Sequence, residues 1–433
     1  MDEETGTEST TVALPGRGLT KVTINTSMIQ EKSVAARAIY EHAAALGADF
    51  GPYTKTCLDA FLELVRFKYS SELRATSAQT LAVVFEAACA DGERIGMDLA
   101  SLYLPLVVKS VSGQIVEEEE ADMEVLYALS EALSDVLYNV YIRLDEHGDR
   151  LLANYSINDS TAAVKFCMKA MVACLQRRIK TTSILAGAEG AISGEDEAEH
   201  YEAILQSEEQ LLTPLVDSVG YNLKFFRDRF LPTFDREVAP VLGPYLSVGN
   251  DVRARLSAVC LFDDVIEHCG TTAAAKYAPY LVGGAVAGLD DATNGRDMDL
   301  KRASIYGISQ ICRYAPSKVL LPYEDKIIPT LLSTVASTSK EECDDPAVYE
   351  YSVSALGSLV LFGGNPPFKN TRFVKAENLV KVVLKNMPLL EDFDESKFCS
   401  VRGSRLCFCI FISCLCFLRV SRFYLPFRLP CVI

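Results

Sequence analysis

At 433 residues with 49% hydrophobic content, the chain can bury a large apolar surface, and it exceeds the length at which one compact core keeps growing. Lys and Arg total 42 against 58 Asp and Glu, a net charge of -16. That balance disfavours nucleic acid or an anionic membrane as the main partner and favours basic proteins.

In chain order, Met1-Asp2-Glu3-Glu4 is acidic where a secretory signal would be basic and then apolar, which predicts a start in the cytosol. Residues 1–26 are polar, with Pro15, Gly16 and Gly18, and read as a disordered segment. From Ser27 the apolar residues recur at helical period, in stretches of about 15 to 22 residues with short polar breaks and hardly any alternating strand pattern. The pattern predicts a first helix over 27–46. Helix pairs follow over 51–67 with 71–89, 96–111 with 117–140, 227–246 with 251–269, 272–289 with 297–314, and 322–336 with 345–362. The second helices open alike, as in Glu72-Leu73-Arg74, Asp251-Val252-Arg253 and Asp299-Leu300-Lys301, with small residues about one turn later. An acid there suits the positive helix end, and small residues let a partner helix come close.

Val252, Leu300 and Val348 are 48 residues apart, near the period of about 40–47 of HEAT repeats. No single pair can shield its own apolar face, so the pairs must stack. The fold class is all-α, a HEAT-repeat (ARM-type) α-solenoid superhelix of about seven to eight helix pairs over 27–397. Pro105, Pro240 and Pro329, inside first helices, would kink them and help the array curve.

One break in the rhythm, over 181–200, joins Gly187, Gly190 and Gly194 to Glu195, Asp196, Glu197 and Glu199 and reads as an acidic loop. The stretch 398–433 differs from everything before it, with five Arg, no Asp or Glu, and six of the fourteen Cys. The remaining 37 basic and 58 acidic residues leave the preceding body near -21. Its eight Cys are scattered through apolar helical patterns, as free thiols in a reducing compartment are. The apolar run 406–418 between Arg405 and Arg419 is shorter than the roughly 20 residues that span a bilayer, and Pro430 stands where a prenylated Cys would be required. A misread gene boundary or retained intron is the simplest source of this tail.

Enzyme motifs are missing. There is no phosphate-binding Gly-x-x-x-x-Gly-Lys, no Gly-x-Ser-x-Gly elbow, and Gly16-Arg17-Gly18 lacks the third glycine of a dinucleotide loop. The four His and the scattered Cys never reach zinc-site spacing, so no metal and no cofactor is expected. Asp290 to Gly295 imitates a calcium loop, but Ala292 and Lys301 stand where ligands belong.

Acidic clusters carry more. The run 117–120 reads as a solvated first helix turn. Asp263, Asp264 and Glu267 come late in a helix, where the dipole disfavours them, and Asp263 and Glu267 repel at i,i+4. A cationic partner would relieve that repulsion, as would Arg253, Arg255 or a base from a neighbouring repeat.

The segment from Cys260 to Cys269, Cys-Leu-Phe-Asp-Asp-Val-Ile-Glu-His-Cys, closely resembles one in the importin-β superfamily. The blocks around Gln30-Glu31-Lys32, Leu73-Arg74 and Leu300-Lys301 agree in order, and the likeness runs from about Leu19 to Lys397. The resemblance implies a nuclear import receptor that shuttles between cytoplasm and nucleus. Such a receptor binds basic nuclear-localisation signals on ribosomal proteins and histones, contacts phenylalanine-glycine nucleoporins, and releases cargo to Ran-GTP. The family's main Ran site lies in amino-terminal repeats, so the chain looks like a middle-to-late portion. Cargo-binding candidates are Asp263, Asp264 and Glu267 with Glu195, Asp196, Glu197 and Glu199. The alternative is a HEAT scaffold in a phosphatase or chromatin assembly; neither reading is an enzyme.

Overall fold

The computed structural model describes residues 7–14, 18–90, 94–118, 122–187, 195–290, 297–337, 345–362, 376–386 and 389. The tail 398–433 lies outside the described residues, as does the calcium-loop mimic beyond Asp290.

The opening segment departs from expectation. Strands β1 (Thr7–Leu14) and β2 (Gly18–Asn25) pair antiparallel, from Thr7 opposite Asn25 to Leu14 opposite Gly18. Thr10, Thr11 and Val12 face a second β-branched run, Thr20, Val22, Thr23 and Ile24, and such residues favour extended pairing. Residues 15–17 between them lie outside the described residues.

The other described elements are helical. They are α1 (Thr26–Leu46), α2 (Gly51–Leu64), α3 (Ser71–Ala90), α4 (Arg94–Glu117), α5 (Met123–Tyr141), α6 (Leu144–Leu151), α7 (Ile157–Leu185) and α8 (Glu195–Phe226). Then come α9 (Leu231–Thr233), α10 (Ala239–Leu242), α11 (Val252–His268), α12 (Gly270–Gly288), α13 (Met298–Tyr314), α14 (Glu324–Ser337), α15 (Pro346–Phe362) and α16 (Ala376–Lys385).

Two units divide the chain, Met1–Tyr245 with Arg253–Ala273, and Leu246–Val252 with Ala274–Ile433. In the first, α2 packs on α3, α4 on α5 and α7 on α8, as pairs. The second members form a row, α1 against α3, α3 against α5 and α5 against α8, while α2, α4 and α7 form another. Leu58, Phe61, Leu81, Phe85, Leu129 and Leu133 are fully or almost fully buried along these contacts. Each such side chain stabilises the stack by about 1.5–3 kcal/mol relative to exposure. In the second unit, α13 packs on α15, which also takes α14 and α16. There a Cβ on Gly284 would lie 2.6 Å from the Leu246 carbonyl oxygen, so only glycine permits that approach.

Side-chain caps set the helix starts. Asp122 accepts from the N–H groups of Glu124 and Val125, Ser156 and Asp159 form a capping box, and Asp297 accepts from the Leu300 N–H at 2.8 Å. Gly270, at φ 76°, makes the break between α11 and α12. Among the described residues one segment, Gly96–Glu117 of α4, is long and apolar enough to cross a membrane, and most of it is buried in the first unit, as a core helix is.

Three boundaries correct the sequence reading. Helix α4 continues to Glu117, and the next helix starts at the Asp122 cap, so the acidic run is no first turn: Glu118 is buried beside Arg74. Residues 181–185 and 195–200 belong to α7 and α8 rather than to a loop, and only 188–194 lie outside the described residues. The stretch 227–246 is a relay of 3₁₀ turns, short α segments and a π turn at Phe234–Val238. Pro232, Pro240 and Pro244 each remove a backbone donor there, which explains why no single ladder forms.

Candidate functional site

The first unit presents a strip where the second-member row of helices meets solvent. On α3, Glu86 is exposed; on α5, Glu131, Asp135 and Tyr138 follow one another by turns; on α8, Asp217, Tyr221 and Lys224 do the same. The rings of Tyr138 and Tyr221 are 6.0 Å apart, and those of Tyr141 and Tyr221 5.4 Å, so α5 and α8 meet through tyrosine. Glu131 accepts from the Tyr127 hydroxyl at 2.9 Å. Among the described residues none hydrogen-bonds to or pairs with the carboxylates of Glu86, Asp135 or Asp217.

Electrostatics follow from this crowding. Desolvation, then Glu131 and Glu86, push the Asp135 carboxyl up to about 6. Desolvation also pushes Asp217 up to about 6; Lys224 opposes the rise and Asp264 adds to it. Both side chains still reach the surface, so an incoming cation can meet them.

The strip ends at the acids singled out in α11. Asp264 lies 3.2 Å from the Lys224 ammonium and 3.7 Å from His268, and Glu267 is 3.8 Å from His268. A base from the neighbouring α8, Lys224, therefore stands beside these acids and opposes their mutual repulsion. Asp263 is only 4% exposed and faces inward, so it offers nothing to a partner. Burial first, then Asp264 and Glu267, hold its pKa well above the usual carboxylate range. A raised folded value means that stability is lost as pH climbs from the unfolded carboxylate value towards the folded one. Asp263→Asn is therefore expected to raise the melting temperature at pH 8, with the gain shrinking as pH falls towards 4; equal shifts at both pH values would refute it.

Asp196, Glu197 and Glu199 are exposed in the first turns of α8, where they suit the helix dipole, while the Glu195 side chain lies outside the described residues. They are a full helix length from Tyr221 and do not join the strip. The liganding atoms of Asp264, Glu267 and His268 lie within 4.8 Å of one another, a spacing that would suit a metal ion. The Lys224 ammonium already supplies positive charge there and would repel a divalent cation.

Where α4 and α7 meet α5 and α8, a half-open cavity of about 240 Å³ is lined by Ile115, Val116, Leu126, Lys169, Ala170, Ala173, Arg177 and Leu211. It is smaller than the roughly 300–1,000 Å³ of small-molecule sites, the scale of a side-chain pocket. Arg177 is held beside it by the buried Glu208, at 2.9 Å.

Solved structures of karyopherins share this stacking. The fold is that of a karyopherin HEAT-repeat solenoid. Kap121p bound to the SUMO protease Ulp1p matches 92% of the chain with a TM-score of 0.65 at 17% identity. Kap121p bound to RanGTP matches 91% with a TM-score of 0.63 at 16% identity. Kap121p bound to Nup53p matches 90% with a TM-score of 0.63 at 17% identity. In each case the chain spans about a third, 32%, of the karyopherin. No protein-family model matches the chain.

Spacing in sequence did not mark Glu86, Asp135 and Asp217. Their only signal was a late, unpaired acid on each second-member helix, the same signal that picked out α11.

Proposed function

We propose that the chain is the cargo-holding part of a nuclear transport receptor of the importin-β superfamily, most like importin five, and that basic nuclear-localisation signals dock on its acid–tyrosine strip. The observation that carries this reading is the set of unpaired carboxylates of Glu86, Asp135 and Asp217 on consecutive second helices of a karyopherin-type stack. A lysine- or arginine-rich segment supplies what those groups lack. Long-range attraction raises the encounter rate, and close pairs with the carboxylates fix register. Basic cargo such as ribosomal proteins and histones fits this surface, and shuttling between cytoplasm and nucleus under Ran-GTP follows from the same reading.

The cavity where α4 and α7 meet α5 and α8 is the natural seat for a phenylalanine of a phenylalanine-glycine nucleoporin, since Ile115, Leu126 and Leu211 offer it an apolar wall. Immobilised phenylalanine-glycine repeats should retain the protein, and Ala173→Glu, which puts a carboxylate into that wall, should reduce retention several-fold without lowering affinity for a basic peptide. A HEAT scaffold of another assembly would pass through the column unretained. Such a result, together with no binding of a basic import-signal peptide at low salt, would overturn the receptor reading.

A further inference from the structure

Lys224 sits in surroundings unusual for a lysine of its own chain. Its ammonium is 3.2 Å from Asp264, 5.3 Å from the centroid of the Tyr141 ring and 6.0 Å from that of Tyr221. The side chain is 22% exposed, so the cage has an opening to solvent. Tyr138, on the rim of the same aromatic group, is 46% exposed. Anionic oxygen on one side and aromatic faces on the other are what an alkylammonium group binds best.

We propose that this cage is a lysine-recognition subsite closed in cis by Lys224, so that a bound basic segment takes its contacts at Glu86, Asp135 and Asp217 and is denied the cage. The inference rests on the reading that basic segments dock on this strip. Three observations support it. The cage is continuous with the strip through the Tyr138–Tyr221 contact. It already shows its ligand chemistry, because a primary ammonium fills it. Its walls also carry a further acid, the exposed Asp217, whose carboxyl feels both Lys224 and Asp264. Burial alone would lower the Lys224 pKa, yet Asp264 and then Tyr141 raise it, so the ammonium stays charged throughout the physiological range.

The purpose would be a ceiling on affinity. A receptor that must release its cargo gains from holding one cation subsite shut, since an open cage would add a cation–π contact and an ion pair to every lysine-rich ligand.

The test compares wild type with Lys224→Ala and Lys224→Gln, the latter keeping volume where the former leaves a cavity. Binding of a fluorescent tetralysine peptide is followed by anisotropy, and thermal stability is followed with and without n-butylammonium chloride, sodium chloride serving as the ionic-strength control. Both variants should bind the peptide about fivefold more tightly than wild type. Lys224→Ala should also lose melting temperature and regain part of it with n-butylammonium, which should leave wild type unmoved. If both variants bind the peptide no more tightly than wild type, Lys224 is a structural ion-pair partner and the proposal falls, while wild-type binding keeps the docking reading intact. If wild type and variants all ignore the peptide but n-butylammonium rescues Lys224→Ala, the cage stands and the docking reading falls.

Discussion

Glu118→Ala is expected to destabilise the first unit by about 3–5 kcal/mol, read as a lower urea midpoint with little change in slope. Glu118 stands just past the end of α4 and its side chain is 6% exposed; Arg74, on α3, is 12% exposed. The Arg74 guanidinium donates to Glu118 at 2.9 Å and to the Phe67 carbonyl at 3.0 Å, and the Gln114 amide donates to the other Glu118 oxygen at 2.8 Å. Removing the carboxylate strands a guanidinium in a place with little water, and that desolvation, more than the lost attraction, sets the size of the effect. Glu118→Gln keeps one acceptor and should lose less than half as much. Replacing Arg74 and Glu118 together by Leu and Met should recover most of the loss, because two apolar groups of similar shape leave no charge behind. A loss under about 1 kcal/mol for Glu118→Ala would mean that Arg74 reaches solvent by another rotamer.

The second large effect is on binding. Neutralising the strip with Glu86→Gln, Asp135→Asn and Asp217→Asn should weaken a basic import-signal peptide by about 3- to 150-fold near 0.15 M salt and flatten the salt dependence. Three exposed pairs at ~0.2–1 kcal/mol each account for that range. Stability should move the other way. Asp135 and Asp217 have carboxyls raised to about 6, so their ionisation costs the fold stability as pH rises from about 4 to 6. The triple variant escapes this loss and should melt no lower than wild type at pH 8. Wild-type binding should strengthen through pH 6 as both carboxyls ionise, and the variant should lack that rise. Groups that served only the fold would lower stability on removal and leave affinity alone; that combination would defeat the assignment.

The stack was legible in sequence because its cause is periodic. Val252, Leu300 and Val348 open α11, α13 and α15, and two of those helices begin after capping aspartates, Asp297 and Asp345. Long helices hid the rest. Helices α7 and α8, of 29 and 32 residues, carry Pro214, acids and small residues inside them, so local composition mimics a break where the ladder continues. The strip was out of reach for a different reason. Asp135 and Asp217 belong to helices that meet only after stacking, and nothing near either residue announces the other. The acids of α11 were noticed, yet which of two adjacent aspartates faces inward depends on a rotation of about 100° per residue fixed by the packing. Asp263 was turned into the core and Asp264 towards Lys224.

The row α1, α3, α5, α8 has a mechanical meaning. Among the described residues each helix of the row packs chiefly on the next, so a load applied at one end passes from link to link, shared only with the paired helices α2, α4 and α7. Under tension the weakest link should yield first and leave the others whole, and single-molecule force traces should rise in teeth one helix pair wide.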